Sequence, residues 1–190
     1  MKSNVYMFLL GTMCLLLLSC GEEKLPKPRA MLRLNYPAPV YEDLDMDCSY
    51  TVKKNKMVQI KNAKYTRPCW YNMYYPDLKA TVYLSHYEIK NNLDSLLRDA
   101  QNLTMEHHIK ADGIKNKEHI NEEEKVYGTL YIVSGNAASP YQFYVTDSIK
   151  HFVSGSVYFD ARPNYDSILP AANYLQNDLM HFMETIQWKN

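Results

Sequence analysis

Two β-rich runs joined by a short polar segment, 141–146 and 152–159, constrain the fold of this chain more than any other stretch. Such a pattern is typical of a β-hairpin, in which alternation places the apolar residues of each run on one face. They are Tyr141, Phe143 and Val145 in the first run, and Val153, Val157 and Phe159 in the second, with Gly155 between them. The two sets share a sheet face if a five-residue loop pairs Thr146 with Phe152. A four-residue loop would pair Val145 with Phe152 and turn Val153 away.

The first 19 residues have the features of a secretory signal peptide. Lys2 is followed by an almost wholly apolar run from Val5 to Leu18, which is too short for a typical membrane-spanning helix. Leu17-Leu18-Ser19-Cys20 resembles the bacterial lipobox, in which the cysteine is acylated and the chain is cut before it. We therefore predict a mature N-terminus at lipidated Cys20, with palmitate among its acyl chains. Several chains anchor stably, because each buried CH₂ contributes about 0.8 kcal/mol. The sequence does not decide which membrane or leaflet holds the anchor.

The remaining cysteines form an even pair. Cys14 lies in the signal peptide and Cys20 carries the lipid, which leaves Cys48 and Cys69 in an oxidising compartment. A bridge between them would close a loop of about 20 residues and contribute about 3 kcal/mol. A disulfide and a pair of buried free thiols both fit the sequence.

Composition divides the mature chain into a tether and a folded domain. Residues 20–46 hold four prolines without apolar periodicity, which is typical of an extended tether. Residues 47–190 are long enough for a single domain with a hydrophobic core. Loss of Lys2 with the signal peptide moves the formal net charge only from 0 to −1. Near neutrality and the lack of a Lys/Arg cluster argue against nucleic acid as a partner.

Further strands follow the tether. The short β-prone runs 48–52 and 57–60 favour one hairpin, and the runs 70–75 and 80–87 favour a second around a turn that Pro76 pre-sets. Residues 111–116 and 126–133 are also predicted strands, separated by an acidic connection over 119–125.

Two amphipathic helices complete the pattern. Asn91 or Asn92 can cap the first, and Asp166 or Ser167 the second, with Pro170 in its first turn. Their apolar stripes are Leu93, Leu96, Leu97, Ala100 and Leu103, and Leu169, Ala172, Leu175, Leu179, Phe182, Met183 and Ile186. The element order predicts an α+β fold, an antiparallel β-sheet with two covering helices in a layered sandwich that resembles a PsbP-like domain.

Few residues are arranged for chemistry. Asp147, Ser148 and His151 invite a hydrolase interpretation, but all three share one tight loop, where Asp and Ser more naturally bond the backbone of the turn. The adjacent pair His107 and His108 would project about 100° apart on a helix and lacks metal-ligand spacing. Gly is sparse and no phosphate-binding motif occurs, which argues against a nucleotide cofactor. Taken together, these patterns predict no cofactor, no metal and no enzymatic activity.

The aromatic run 70–75 is a candidate recognition strip. Alternation sends Trp70, Asn72 and Tyr74 to one face of the strand and the other three residues to the opposite face. One face is expected to enter the core, which leaves the other for a glycan or a peptide. Ordinary cross-strand aromatic packing is the alternative explanation of the same run.

Four stretches together resemble the GldD family, the gliding motility-associated lipoproteins of gliding bacteria and their relatives. They are the lipobox at 17–20, the segments 70–76 and 80–84, and above all the hairpin 142–159 with its Thr146-Asp147-Ser148, His151 and Gly155. The resemblance spans most of the mature chain, from about 48 to 188. The Cys48 and Cys69 pair has no counterpart that we can map onto the family.

The resemblance implies a non-enzymatic component of the cell envelope that serves gliding and the type IX secretion machinery. Its partners would be the membrane, through the lipid, and other envelope motility or secretion proteins. Trp70, Tyr74, Asp147, Ser148 and His151 are the candidate partner-binding residues. The alternative function is a lipoprotein module that binds an envelope glycan or peptide.

Overall fold

The computed structural model describes residues 34–44, 46–63 and 67–189. The predicted signal peptide and Cys20 lie outside this part of the chain. No helix among the described residues is both long and apolar enough to cross a bilayer.

Ten strands and two α-helices build the described domain, which confirms the predicted α+β class. The strands are β1 Tyr41–Leu44, β2 Tyr50–Asn55, β3 Gln59–Asn62, β4 Tyr71–Tyr75, β5 Ala80–Glu88, β6 Ala111–Asn121, β7 Val126–Gly135, β8 Tyr141–Thr146, β9 His151–Phe159 and β10 Gln187–Trp188. The helices are α1 Leu93–Met105 and α2 Tyr165–Thr185, and short 3₁₀ turns cover Pro76–Leu78 and Glu106–Lys110. The larger sheet has the order β3-β4-β5-β9-β8-β7-β6, and a small sheet has the order β1-β2-β10.

The hairpin of β8 and β9 has the register that the apolar alternation requires. Thr146 pairs with Phe152 and Val145 with Val153, so both apolar sets lie on one face. Gly155 stands opposite Phe143, and a Cβ added at position 155 would collide with the Phe143 ring. A glycine is therefore needed here so that a large aromatic ring can cross the neighbouring strand.

The two faces of the large sheet are covered differently. One face is apolar and packs under α2 and the small sheet, for example where the Phe143 ring meets Phe182 with centroids 5.6 Å apart. Its fully buried members include Val82, Leu84, Leu130, Val145, Val153 and Val157. The opposite face carries alternating tyrosine, serine and threonine side chains, and α1 lies over only part of it.

Two sequence-based predictions about the start of the domain are wrong. The runs 48–52 and 57–60 do not form a hairpin, because β2 pairs with β1 and β10 while β3 pairs with β4 in the other sheet. Strand β1 also lies inside the segment 20–46 that was predicted as tether, and Tyr36 already contacts Tyr174 of α2. Alternation identified β2 and β3 as strands, but the choice of a strand's partner depends on contacts distant in sequence.

The bounds of α2 and β6 are among those that differ from the prediction. Helix α2 begins at Tyr165, with Asn164 rather than Asp166 or Ser167 at its N-cap position, which places Pro170 beyond the first turn. Strand β6 continues to Asn121, so the connection to β7 is shorter than the predicted 119–125 segment. Both shifts lengthen a predicted element without changing its type.

Cys48 and Cys69 are joined by a disulfide in the structure, with Cα atoms 5.5 Å apart. Cys48 precedes β2 of the small sheet, and Cys69 precedes β4 of the large sheet. The bridge therefore ties the two sheets together at one end. Cys69 has a positive φ of 60°.

A buried carboxylate ties the small sheet to α2. The Asp178 side chain is 4% exposed, and it accepts hydrogen bonds from Tyr41 Oη at 2.8 Å and from Asn55 Nδ2 at 3.0 Å. Burial raises the pKa of Asp178, although its hydrogen bonds to Tyr41, Asn55 and Tyr75 act in the opposite direction. Such a cluster positions one strand of the small sheet on the helix that covers the core.

Candidate functional site

The Asp147–His151 loop is held by its own hydrogen bonds. Asp147 Oδ1 accepts from the backbone N–H groups of Ile149, Lys150 and His151 at 2.8–2.9 Å. Burial alone would raise the pKa of this carboxyl, but the three N–H donors outweigh it and the pKa lies below its usual value. Ser148 has a positive φ of 64°, and its N–H donates to Thr146 Oγ1. The acidic side chain therefore fixes the turn, as the sequence predicted.

The His151 side chain lies in a cluster of rings. Its Nδ1 lies 3.3 Å from His86 Nε2, and its ring stacks on Trp188 with centroids 5.3 Å apart. The pKa of His86 is lowered, mainly by burial and to a smaller extent by the neighbouring His151. Trp188 also contacts Tyr50 edge-on and donates through Nε1 to Lys125 O. His151 thus joins the β8–β9 hairpin to the small sheet.

A shallow groove of about 340 Å³ lies beside this loop. Its lining is strongly mixed in charge: Glu123, Glu124, Lys125, Asp147, Ile149, Lys150, His151, Trp188 and Lys189. Since acidic and basic groups alternate around it, the groove favours neither an anion nor a cation. Ile149 is 66% exposed at its rim.

Trp70 and Tyr74 lie on the face of the large sheet that α2 does not cover. The alternation predicted for the run 70–75 is observed, because Met73 and Tyr75 are buried while Trp70 and Tyr74 are partly exposed. Neighbouring strands add three further rings to the same face. We name this surface the aromatic shelf; it consists of Trp70, Tyr74, Tyr83, Tyr87 and Tyr158.

Four rings of the aromatic shelf form two edge-on pairs. Trp70 meets Tyr87 with centroids 5.5 Å apart at an interplanar angle of 68°. Tyr83, which is 47% exposed, meets Tyr158 at 5.7 Å and 76°. This geometry is favourable for aromatic pairs, and it leaves hydroxyl tips in contact with water.

Two cations lie at the outer margin of the aromatic shelf. Arg67 Cζ lies 5.0 Å from the centre of the Trp70 ring, and Lys61 Nζ lies 3.4 Å from the centre of the Tyr74 ring. Both residues are exposed. The shelf therefore presents aromatic surface next to positive charge.

At its inner margin, the aromatic shelf leads into a cavity of about 150 Å³ between α1 and the sheet. The lining combines apolar and polar groups: Tyr87, Leu96, Asp99, Ala100, Leu103, Tyr131, Gln142, Phe143, Phe152, Ser154, Gly155 and Ser156. Tyr87 belongs to both the shelf and the cavity wall. The two features are therefore one continuous surface.

A buried amide lines this cavity. Gln142 is 3% exposed, and its Nε2 has no hydrogen-bond partner among the described residues. Thr104 Oγ1 lies 3.1 Å from both Gln142 Oε1 and Ala100 O, but a hydroxyl has only one proton to donate. Whichever bond forms, and whichever way the amide is turned, one of its two polar groups stays unpaired. Such a group is costly when buried unless a water or a ligand satisfies it.

The five candidate residues do not form one site. Trp70 and Tyr74 share the aromatic shelf, whereas Asp147 stabilises its own loop and His151 lies on the opposite face beside His86. Ser148 borders a second recess beside α1, together with Leu93 and Leu97.

Tyr83, Tyr87, Tyr158 and Gln142 were not among the residues predicted from the sequence. The signal for the tyrosines was present, because positions 83, 85 and 87 of β5 alternate with the buried positions 82, 84 and 86. The role of Gln142 depends on where α1 lies, which no local pattern indicates.

No group of three or more His, Cys, Asp or Glu side chains in the described residues is placed to hold a metal ion. His86 and His151 approach each other as a pair without a third such group. The chemistry that the described surfaces support is recognition through aromatic rings and hydrogen bonds.

Comparison with known proteins gives one result for nearly the whole chain. The family model described as gliding motility lipoprotein GldD matches residues 21–188, which include the segment before the domain and almost all of the described part. A search of individually curated proteins finds no match. This family is not a known enzyme family. Because the match covers well over half of its residues, the chain belongs to the GldD family of gliding motility lipoproteins.

Proposed function

We propose that this chain is a lipid-anchored component of the bacterial cell envelope that helps to assemble the gliding motility and type IX secretion machinery without catalysing a reaction. The observation that carries the proposal is the family match over residues 21–188. It includes both surfaces described above, so the proposed role extends to the whole domain.

The anchor is proposed from the Leu17–Cys20 lipobox. Acylation at Cys20 would hold the domain at a bilayer surface through a proline-containing segment, and several acyl chains make such an anchor stable. A Cys20→Ser variant is expected to move from the membrane fraction to the soluble envelope fraction. Retention of this variant in the membrane at the level of the unchanged chain would contradict lipid anchoring.

The aromatic shelf is the surface we propose for partner binding. It combines partly exposed tyrosine rings with Arg67, residue types that are enriched in protein interfaces, and it adjoins a cavity that can receive an anchor side chain. The Asp147–His151 loop is less suited, because Asp147 Oδ1 accepts three backbone hydrogen bonds of the turn and His151 is packed on Trp188.

Deletion of the gene tests the role in motility and secretion. We expect the deletion strain to lose colony spreading and to release less type IX cargo into the medium, and both defects should be restored by the unchanged chain. A deletion strain that spreads and secretes normally would overturn the proposal.

The tyrosines also support a second candidate function, a module that binds an envelope glycan or peptide. Partly exposed aromatic rings beside Asn72 and Ser85 could contact a sugar or a peptide backbone. Binding to a polysaccharide panel that is lost with Tyr74→Ala, but kept with Tyr127→Ala on the distant strand β7, would favour it. An unchanged panel signal in both variants would count against it.

A further inference from the structure

The cavity under α1 and the aromatic shelf offer a continuous path from a buried amide to a surface cation. Tyr87 lines the cavity and its ring contacts the Trp70 ring. Arg67 Cζ in turn lies 5.0 Å from the centre of the Trp70 ring. A ligand that enters the cavity can therefore extend across aromatic surface to Arg67.

We propose that this surface binds an extended segment of a partner protein, which inserts one tyrosine side chain into the cavity and places an acidic residue near Arg67. The inference rests on the function proposed above, because it names the kind of segment that the envelope component would hold.

The size and lining of the cavity select one aromatic ring. A protein cavity of about 150 Å³ with aliphatic and aromatic walls holds a benzene-sized group, and this cavity has about the same volume. Leu96, Leu103 and Phe152 supply apolar wall on both the helix side and the sheet side. A ring buried there would remove apolar surface from water, which favours binding.

The polar groups of the cavity select a ring with a hydroxyl. Gln142 keeps either an N–H or a carbonyl oxygen unpaired, and a tyrosine hydroxyl can satisfy both because it donates as well as accepts. Asp99 at the wall adds a carboxylate that can accept from the same hydroxyl or from a backbone N–H. Phenylalanine would leave the buried amide unpaired.

The charge at the outer margin indicates an acidic neighbour. Arg67 and Lys61 are the cations next to the aromatic shelf rings, and neither appears in an ion pair with a described carboxylate. The cavity wall on β9 and the Trp70 ring beside β4 are two strand spacings apart, about 10 Å. An extended segment crosses this distance and the ring itself in about four or five residues.

The same features disfavour a glycan. A sugar needs hydrogen-bond partners for several hydroxyls, whereas the cavity walls are mainly apolar. Sugars also stack on open ring faces, but Lys61 already lies over Tyr74 and Arg67 over Trp70. A protein segment with one aromatic anchor fits the surface better.

The cavity is tested with p-cresol, the side-chain analogue of tyrosine, and with toluene, which lacks the hydroxyl. The protein used is the chain from residue 20 onwards with the Cys20→Ser substitution. Binding of each probe is monitored by NMR chemical shifts. We expect saturable shifts at Leu96, Leu103 and Gln142 with p-cresol, and at least about tenfold weaker binding of toluene, since the buried amide then stays unpaired. Equal binding of both probes, or none, would overturn the tyrosine assignment.

Cavity-filling variants locate the binding. Ala100→Met fills the cavity from α1 and Ser156→Leu from the sheet, so each should abolish the p-cresol shifts while the remaining spectrum stays folded. Because the two substitutions lie on different elements, one of them still tests the cavity if the other disturbs its helix or strand. Unchanged p-cresol binding in a folded variant of either kind would place the probe elsewhere and overturn the proposal.

The acidic preference is tested with blocked peptides that carry one tyrosine and two glutamates four to five residues away, in both directions. Binding should weaken at least about tenfold when the tyrosine is replaced by alanine, as for an interface anchor residue. Arg67→Glu should weaken it similarly, whereas Arg98→Glu, the same change on the outer side of α1, should not. Equal effects of the two substitutions, or oligosaccharide binding at the same resonances without peptide binding, would overturn the proposal.

Complementation of the deletion strain distinguishes a failure of the cavity assignment from a failure of the proposed function. If the deletion strain is defective and Ala100→Met restores it fully, the cavity assignment fails while the envelope role stands. If deletion causes no defect, the proposed role fails, and the binding measurements still decide the chemistry of the surface.

Discussion

The two helices cover opposite faces of one sheet, and they do so in different ways. Helix α2 buries eight residues, including Leu175, Leu179 and Phe182, against the apolar face. Helix α1 buries only Thr104 within Leu93–Met105, and a cavity remains beneath it. Both helices have apolar stripes in the sequence. The stripe of α2 meets valine and leucine, whereas that of α1 meets tyrosine, serine and a buried amide.

This difference separates stability from recognition. The α2 side has the dense packing of a core, where each apolar side chain contributes to the free energy of unfolding. The α1 side leaves apolar surface partly exposed, as at Leu103 with 42% exposure, and keeps one polar group unpaired. Natural proteins accept such local cost mainly where a site has a function. We therefore expect substitutions on the two sides to affect different properties.

The largest expected effect is on the α2 side. Leu175 is fully buried, so Leu175→Ala should lower the free energy of unfolding by about 2–5 kcal/mol, from lost burial and a new cavity. The matched change Leu97→Ala on the half-buried stripe of α1 should cost about 1 kcal/mol or less, because less area is lost from burial. Urea unfolding measures both. Equal costs would remove the distinction between the helices.

The second largest loss of stability is expected on removal of the disulfide between the sheets. The Cys48–Cys69 disulfide has a sequence separation of 21, and loss of a bridge of this loop length typically costs about 2–4 kcal/mol. We expect the Cys48→Ala/Cys69→Ala chain to unfold at lower urea than the oxidised chain, and to match the reduced unchanged chain. Thiol titration of the denatured, unreduced protein should find neither of the two cysteines free. Detection of both thiols would show that the bridge does not form.

Close packing against α2 predicts an intermediate effect at Gly128. A Cβ at this position would collide with Tyr144 O and Val145 Cγ1, and would press on Met183 of α2. Gly128→Ala should therefore destabilise by about 1–3 kcal/mol, as expected for overpacking. The control is Gly113→Ala, where the nearest atom is Ser134 Oγ at 3.5 Å and little cost is expected. Similar unfolding midpoints for the two variants would contradict the packing described for β7.

The smallest effect is a pH dependence from Asp178. Burial raises the pKa of this carboxyl above its ordinary value of 3.8. The folded state therefore holds the proton more tightly than the unfolded state, so the contribution of Asp178 to stability is greatest below the ordinary pKa and is lost as the pH rises through the folded pKa. The Asp178→Asn substitution should remove this loss of stability with rising pH. From about pH 3 upward, the urea unfolding midpoint of the variant should therefore fall less than that of the unchanged chain. A difference between the two chains that does not change with pH would show that Asp178 does not titrate in this way.

Local patterns predicted much of the fold but not its assembly. The register of β8 and β9, the second hairpin and both helix stripes followed from alternation and spacing of the kind seen at Val145 and Val153. The pairing of β5 with β9 joins segments about 70 residues apart, and β2 and β3 belong to different sheets. Short runs near the start of the domain carried no signal for that choice.

The candidate site was predictable only in part. Trp70 and Tyr74 were identified from their side of a strand, and Asp147 was identified as turn chemistry. The cavity with Gln142 arises from the way one amphipathic helix lies on a polar sheet face, and this placement depends on tertiary packing. The Asp147, Ser148 and His151 cluster looked like one site in the sequence because neighbours in a hairpin loop can face opposite sides of a sheet.

The most direct test of the account is complementation of the deletion strain by a chain with Tyr83→Glu, at matched abundance in the membrane. Tyr83 is 47% exposed on the aromatic shelf, so a charge there should block partner binding without unfolding the core. Lys117→Glu, on the exposed outer strand β6, is the control. We predict that Tyr83→Glu leaves spreading and cargo release at the level of the deletion, whereas Lys117→Glu restores both. Full restoration by Tyr83→Glu would contradict the assignment of recognition to the α1 side of the sheet.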